Sequence, residues 1–169
     1  MELQPLLNGK LVRLRPLKAA DFESLYEVAS DPMVWEQHPE NTRYRRDVFE
    51  GFFAKAMESG GAFAILEAAA GSRMIGSSRY YDWNAEAKSV FIGFTFLARR
   101  YWGGAYNREI KHLMLAHAFK YVDRVFFEVG LCNVRSQKAM LKVGAKQVEV
   151  RQNSVIFTID RQGKLASDY

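Results

Sequence analysis

Hydrophobic and polar positions change period several times along this chain. Leu11 to Leu17 interleaves apolar residues with Arg13 and Arg15 and reads as a strand. Ala19 to Ser30 carries Phe22, Leu25, Tyr26 and Ala29 at helical spacing, and Asp31-Pro32 stops it. A polar and aromatic loop follows, Trp35-Glu36-Gln37-His38-Pro39. Asp47 is placed to cap a second helix whose apolar face is Phe49, Phe52, Phe53, Ala56 and Met57, closed by Gly60-Gly61. The period then drops to that of strands over Ala62 to Ala69, Met74 to Tyr81 and Ser89 to Leu97, with Ala70-Gly71-Ser72 as the first turn between them. Helical spacing returns over Tyr106 to Tyr121 through Ile110, Leu113 and His117. Arg124 to Gly130 is a strand, Asn133 to Val143 a helix ended by Gly144, and Gln147 to Val150 with Ser154 to Ile159 a closing hairpin. The order β-α-α-β-β-β-α-β-α-β-β predicts an α/β or α+β fold, with about seven strands in one sheet and about four helices packed on it.

Composition narrows this little further. At 169 residues, 49% of them hydrophobic, the chain is expected to form one domain over 1–169 with an ample core. The 24 basic and 19 acidic residues leave a formal charge of +5, which suits an anionic small ligand. The basic residues are scattered, so no nucleic-acid partner is expected. The single cysteine, Cys132, allows neither an intrachain disulfide nor a cysteine zinc site, and His112 and His117 are wrongly spaced for a metal pair, so no metal is expected. The N-terminal residues lack a secretory pattern and no apolar run reaches the ~20 residues of a membrane span. The expectation is a cytoplasmic protein with no membrane partner.

The chemistry concentrates at Arg100-Tyr101-Trp102-Gly103-Gly104-Ala105, between a strand and a helix. Two glycines and an alanine leave the backbone bare, and amides at a helix start attract anions. Arg100-x-x-Gly103-x-Ala105 resembles the pyrophosphate motif of the GNAT acetyltransferase superfamily. Ile92-Gly93-Phe94-Thr95-Phe96-Leu97 looks like that fold's fourth strand. Tyr101 to Tyr106 with Glu109, the pair Asn133-x-x-Ser136, and Lys142-x-Gly144 are similar to its Rim-type branch, which acetylates ribosomal-protein N-termini. The likeness covers roughly residues 9–160.

This resemblance implies acetyl-CoA as co-substrate and direct transfer to a primary amine, either a peptide N-terminal α-amine or a small molecule. It implies that the segment Arg100, Trp102, Gly103, Gly104, Ala105 and Tyr106 holds the pyrophosphate. The backbone of Thr95, Phe96 and Leu97 would pair with the pantetheine arm, and Asn133 and Ser136 would face the cofactor. Homodimers are common in the superfamily. Gly93, in mid-strand, marks either a bulge with a close approach or a packing gap.

The proton chemistry is less conventional. Many members place a tyrosine seven residues after the asparagine, where this chain has Met140, and many Rim-type sequences place glutamate where it has Phe91. Ser136 stands as a candidate donor to the leaving thiolate, or as a helix-start residue bonding its own backbone. Glu36, His38 and Glu109 are the candidate bases, each readable also as an ordinary solvated or helix-start residue. Trp35, His38, Arg79 and Tyr81 are candidates to shape the acceptor pocket. With no strong base, an α-amine of pKa ~8 is an easier acceptor than a lysine-like amine of pKa ~10.4. Two apolar residues at common catalytic positions also allow a second reading, an acyl-CoA sensor without turnover.

Overall fold

A computed structural model describes residues 1–69 and 71–161. Ala70, in the first predicted turn, and the last eight positions of the expected domain lie outside the described residues. The elements are β1 (Leu7–Asn8), β2 (Val12–Pro16), α1 (Phe22–Ala29), α2 (Arg46–Glu58), β3 (Ala62–Glu67), β4 (Met74–Asn84), β5 (Ser89–Leu97), α3 (Ala105–Ala118), β6 (Arg124–Gly130), α4 (Val134–Lys142), β7 (Lys146–Val150) and β8 (Ser154–Asp160). They form one sheet in the order β1-β2-β3-β4-β5-β6-β8-β7. Every pairing is antiparallel except β5 with β6.

The strands number eight rather than about seven, because two-residue β1 is too short to leave a periodic trace. Asp47 is not the cap of α2: Arg45 holds that position and Asp47 lies in the first turn, accepting from the Arg45 guanidinium. Among the described residues, no helix is long and apolar enough to cross a membrane.

The sheet divides two apolar clusters. On one face α1 and α2 bury Leu25, Phe49, Phe52 and Phe53 against Ala62, Ala64 and Phe96. On the other, α3 and α4 bury Ile110, Met114 and Met140 against Phe63, Ile65, Val90, Ile92 and Phe127. Strand β3 shows the alternation directly, with Ala62 and Ala64 on one side and Phe63 and Ile65 on the other.

Strand β5 breaks that alternation. Val90 and Ile92 face the α3 side, yet so does Leu97, while Phe96 faces α2. The register against β4 explains the change: Arg79 pairs with Gly93 but Ser77 with Phe96, so β5 has one residue more over that stretch. Phe94, at φ 53°, carries the bulge. One inserted residue reverses the facing of everything after it. Consequently Thr95 falls on the α3 side.

Candidate active site

The bulge also parts two strands. Parallel pairing of β5 with β6 lasts only from Ser89–Phe91 against Arg124–Phe126, although both strands run on. At the last shared rung the Phe91 and Phe126 rings stack, 5.1 Å apart. Beyond it opens a wedge, with Ile92, Gly93, Phe94 and Thr95 on one wall and Phe127 to Gly130 on the other. Gly93 is required there by contact: a β-carbon would lie 2.8 Å from a Tyr81 ring carbon. Past Phe91 the edge of β5 toward the wedge pairs with no strand among the described residues; side chains reach two of its carbonyls, Trp102 Nε1 donating to Leu97 O at 2.9 Å and the Ser78 and Thr95 hydroxyls to Gly93 O at 3.5 Å.

From the wedge the cleft passes Trp35, His38, Thr95, Asn133 and Ser136 to the glycine turn, with Asn107 and Ala139 bordering it throughout. At the turn Gly103 has φ +76°, and neither Gly103 nor Gly104 has another atom within 4 Å of a built β-carbon. The bare backbone therefore faces open space at the start of α3. Arg108, Arg135, Lys138 and Lys142 border the same depression, and no acidic residue does among the described residues. Such a surface fits a diphosphate: amides, a helix dipole and four cations converge on it.

Several expected site residues meet in this cleft: Trp35, His38, Thr95, Phe96, Leu97, Trp102, Gly103, Asn133 and Ser136 border it, with Gly104 at the turn. Asn133 caps α4, its Oδ1 accepting the Ser136 backbone N–H at 3.1 Å. Arg135 lies 3.8 Å from the Trp102 ring centroid and its backbone N–H donates to Gln37 Oε1, so α4 is tied to the Trp35–His38 loop.

Others are corrected. The Glu109 carboxylate does not face the cleft; it accepts the backbone N–H groups of Lys10, Leu11 and Val12 at 2.9, 2.7 and 2.9 Å. Three donors on one carboxylate make it an anchor for the chain entering β2. Tyr106 donates to Glu67 and packs on Tyr101, away from the cleft. The Arg100 side chain lies over Tyr101 and borders a separate depression beside Asp31. Glu36 is exposed. His38 is in the cleft, but burial and then the Arg43 charge push its pKa down to about 4, which makes it a feeble base.

Sequence reasoning missed Lys111. It stands one turn beyond Asn107 on α3, is 2% exposed, and reaches the wedge. Its Nζ donates to Thr95 Oγ1 at 2.7 Å, and Thr95 Oγ1 lies 2.7 Å from Ser78 Oγ. Phe127, on the opposite wall, has its ring centroid 5.5 Å from the same nitrogen. No carboxylate among the described residues pairs with it, and burial pushes its pKa down to about 7. A buried lysine amine of lowered pKa thus stands where β5 and β6 part.

Solved structures with this fold include several acetyltransferases. A GCN5-related N-acetyltransferase from Brucella melitensis superposes with a TM-score of 0.84 at 19% identity, covering 96% of this chain and 81% of its own. A GNAT-family acetyltransferase from Bacillus anthracis gives 0.77 at 18%, covering 94% and 99%. Spermidine N-acetyltransferase from Vibrio cholerae, solved with CoA and spermine, gives 0.72 at 15%, covering 93% and 99%. No curated relative matches by sequence. Over residues 12–146 the sequence matches the acetyltransferase (GNAT) domain, and the chain belongs to that family.

Proposed function

We propose that this protein transfers an acetyl group from acetyl-CoA to a primary amine inside the wedge, and that Lys111 takes the proton the amine gives up. The observation that carries the reading is the adjacency of three pockets: sharing Asn107 and Ala139, they follow one another from the cationic glycine turn to the buried Lys111 amine. Amides of Gly103 to Ala105, with Arg108, Lys138 and Lys142, hold the diphosphate. The free edge of Thr95 to Leu97 lies along the pantetheine arm, and the thioester ends between β5 and β6.

There the amine nitrogen attacks the carbonyl carbon, its proton passes to Lys111 Nζ, and the carbon–sulfur bond breaks. The CoA thiolate leaves and is protonated from Ser136 or solvent. Magnitudes favour Lys111 over His38 as acceptor. An α-amine of pKa ~8 loses its proton to a group of pKa about 7 for ~1.4 kcal/mol, but to one of pKa about 4 for ~5.5 kcal/mol. Phe91, where a carboxylate base is common in the Rim-type branch, serves instead to zip the foot of the wedge. The likeness to that branch rests on the glycine-turn and Asn133–Ser136 motifs and supports an α-amine acceptor.

Calorimetric titration of acetyl-CoA, followed by CoA-thiol release against a panel of amines and peptides, tests this. Binding with acceptor-dependent release is expected. Binding without release for any acceptor would make the protein an acyl-CoA sensor, and absence of binding would remove both readings.

A further inference from the structure

Beside the wedge stand a buried arginine, Arg79, and a half-buried one, Arg43, neither with an acid at ion-pair distance among the described residues. Arg79 of β4 is 6% exposed, and its Nε has no hydrogen-bond partner among the described residues. Its guanidinium carbon lies 4.2 Å from the centroid of Phe94, the bulge residue, and 5.8 Å from that of Phe52. Arg43, just before α2, borders the wedge and lies 4.6 Å from the same Phe52 ring. Its one side-chain hydrogen-bonding contact is with Nε2 of His38, which is uncharged at neutral pH.

The surroundings sharpen the contrast. Seven other arginines form ion pairs: Arg15, Arg45, Arg46, Arg99, Arg124, Arg151 and Arg161. Most of those are exposed, where pairing matters least. The acid on the wedge wall, Glu128, already accepts from Ser154 Oγ and lies 3.5 Å from Arg151. Glu40, the acid that acts on Arg43, is exposed and outside ion-pair distance. Stacking on Phe94 and Phe52 offsets part of the cost of drawing two like charges out of water, but it leaves Arg79 Nε–H without an acceptor among the described residues. Guanidinium groups present their N–H donors as forks matched to an oxyanion.

From this geometry we infer that Arg43 and Arg79 are the recognition site for a carboxylate on the acceptor, so that the amine acetylated is one that carries an acid group. The inference rests on the wedge being the transfer site. It places the acceptor among amino acids and amines with an acidic arm, and it sets the protein apart from enzymes of polyamines, whose added positive charge two guanidiniums repel.

Rates of CoA-thiol release with wild-type protein and saturating acetyl-CoA give the test. The acceptors are glycine, β-alanine and glutamate, the neutral amides of the first two, aminomethylphosphonate, and spermidine. At least one carboxylate-bearing amine is expected to exceed its own amide in kcat/KM by about tenfold or more, the worth of one charge-assisted hydrogen bond. Arg43→Met and Arg79→Met should each collapse that ratio toward one, chiefly through KM, with acetyl-CoA affinity retained in calorimetry. Thermal melting of the variants separates a folding defect from lost recognition, since a variant that melts as wild type owes its lost ratio to recognition. Equal rates for acid and amide, a preference for the phosphonate, a preference for spermidine, or variants that keep the ratio would overturn the inference while leaving acetyl transfer standing. Release with no amine at all would remove acetyl transfer, and this inference with it.

Discussion

Gly93 has no side chain because the Tyr81 ring occupies the space where one would go. Adding a methyl group there must push either the ring or the bulge. Gly93→Ala is expected to cost about 1–3 kcal/mol of stability in urea denaturation, as overpacking does, and to lower transfer further by closing the wedge. Gly103 is constrained differently: it has open space but a φ of +76°. Gly103→Asp adds strain and places a negative charge against the diphosphate, so calorimetry should show acetyl-CoA binding weakened at least tenfold, about 1.4 kcal/mol; unchanged affinity would mean the diphosphate lies elsewhere. Both glycines stood out in the sequence, one by breaking a strand and one by joining a strand to a helix. What Gly93 makes room for did not, because Tyr81 reaches it from the neighbouring strand.

At the scale of elements, α3 does two jobs on two faces. Glu109 ties the chain entering β2 to its first turns, while Asn107 and Lys111 look into the cleft. Glu109→Ala should therefore strand three backbone donors and cost about 2–3 kcal/mol in denaturation; loss of turnover in protein shown to be folded would instead return Glu109 to the catalytic candidates. The sequence concealed this division through the phase of the helix. Spacing through Ile110, Leu113 and His117 suggests one apolar stripe; Ile110 and His117 are buried as it implies, but Lys111, Met114, Leu115 and Ala118 are buried beside them. The buried face is wider than that stripe, and the added width takes in Lys111. The signal available was Lys111 lying three residues before Met114 and four before Leu115. Strands and helices elsewhere were legible because their apolar sides are uninterrupted; the start of α2 was misplaced because Asp47 is a good capping residue that the fold uses one step inside the helix.

For the whole molecule, topology does what no single segment announces. The order of elements predicts one sheet with helices on it, but the parting of β5 from β6 needs the bulge, the Phe91–Phe126 stack and the β6–β8 pairing together. That parting brings Lys111 of α3 beside Thr95 of β5 and Phe127 of β6, residues that are distant in sequence. The positive charge is likewise organised only in three dimensions, at the glycine turn and around Phe52. The pH dependence of kcat for acceptor-dependent CoA release, at saturating amine and acetyl-CoA, tests the account most directly. Lys111 works as the free amine, so protonation removes activity. With its pKa at about 7, kcat should fall about tenfold per pH unit below that point and level off above it. Lys111→Met should lower kcat at neutral pH by about 10²-fold or more and abolish that limb. A Lys111→Met protein that keeps both the rate and the limb would contradict the assignment of this amine as the proton acceptor.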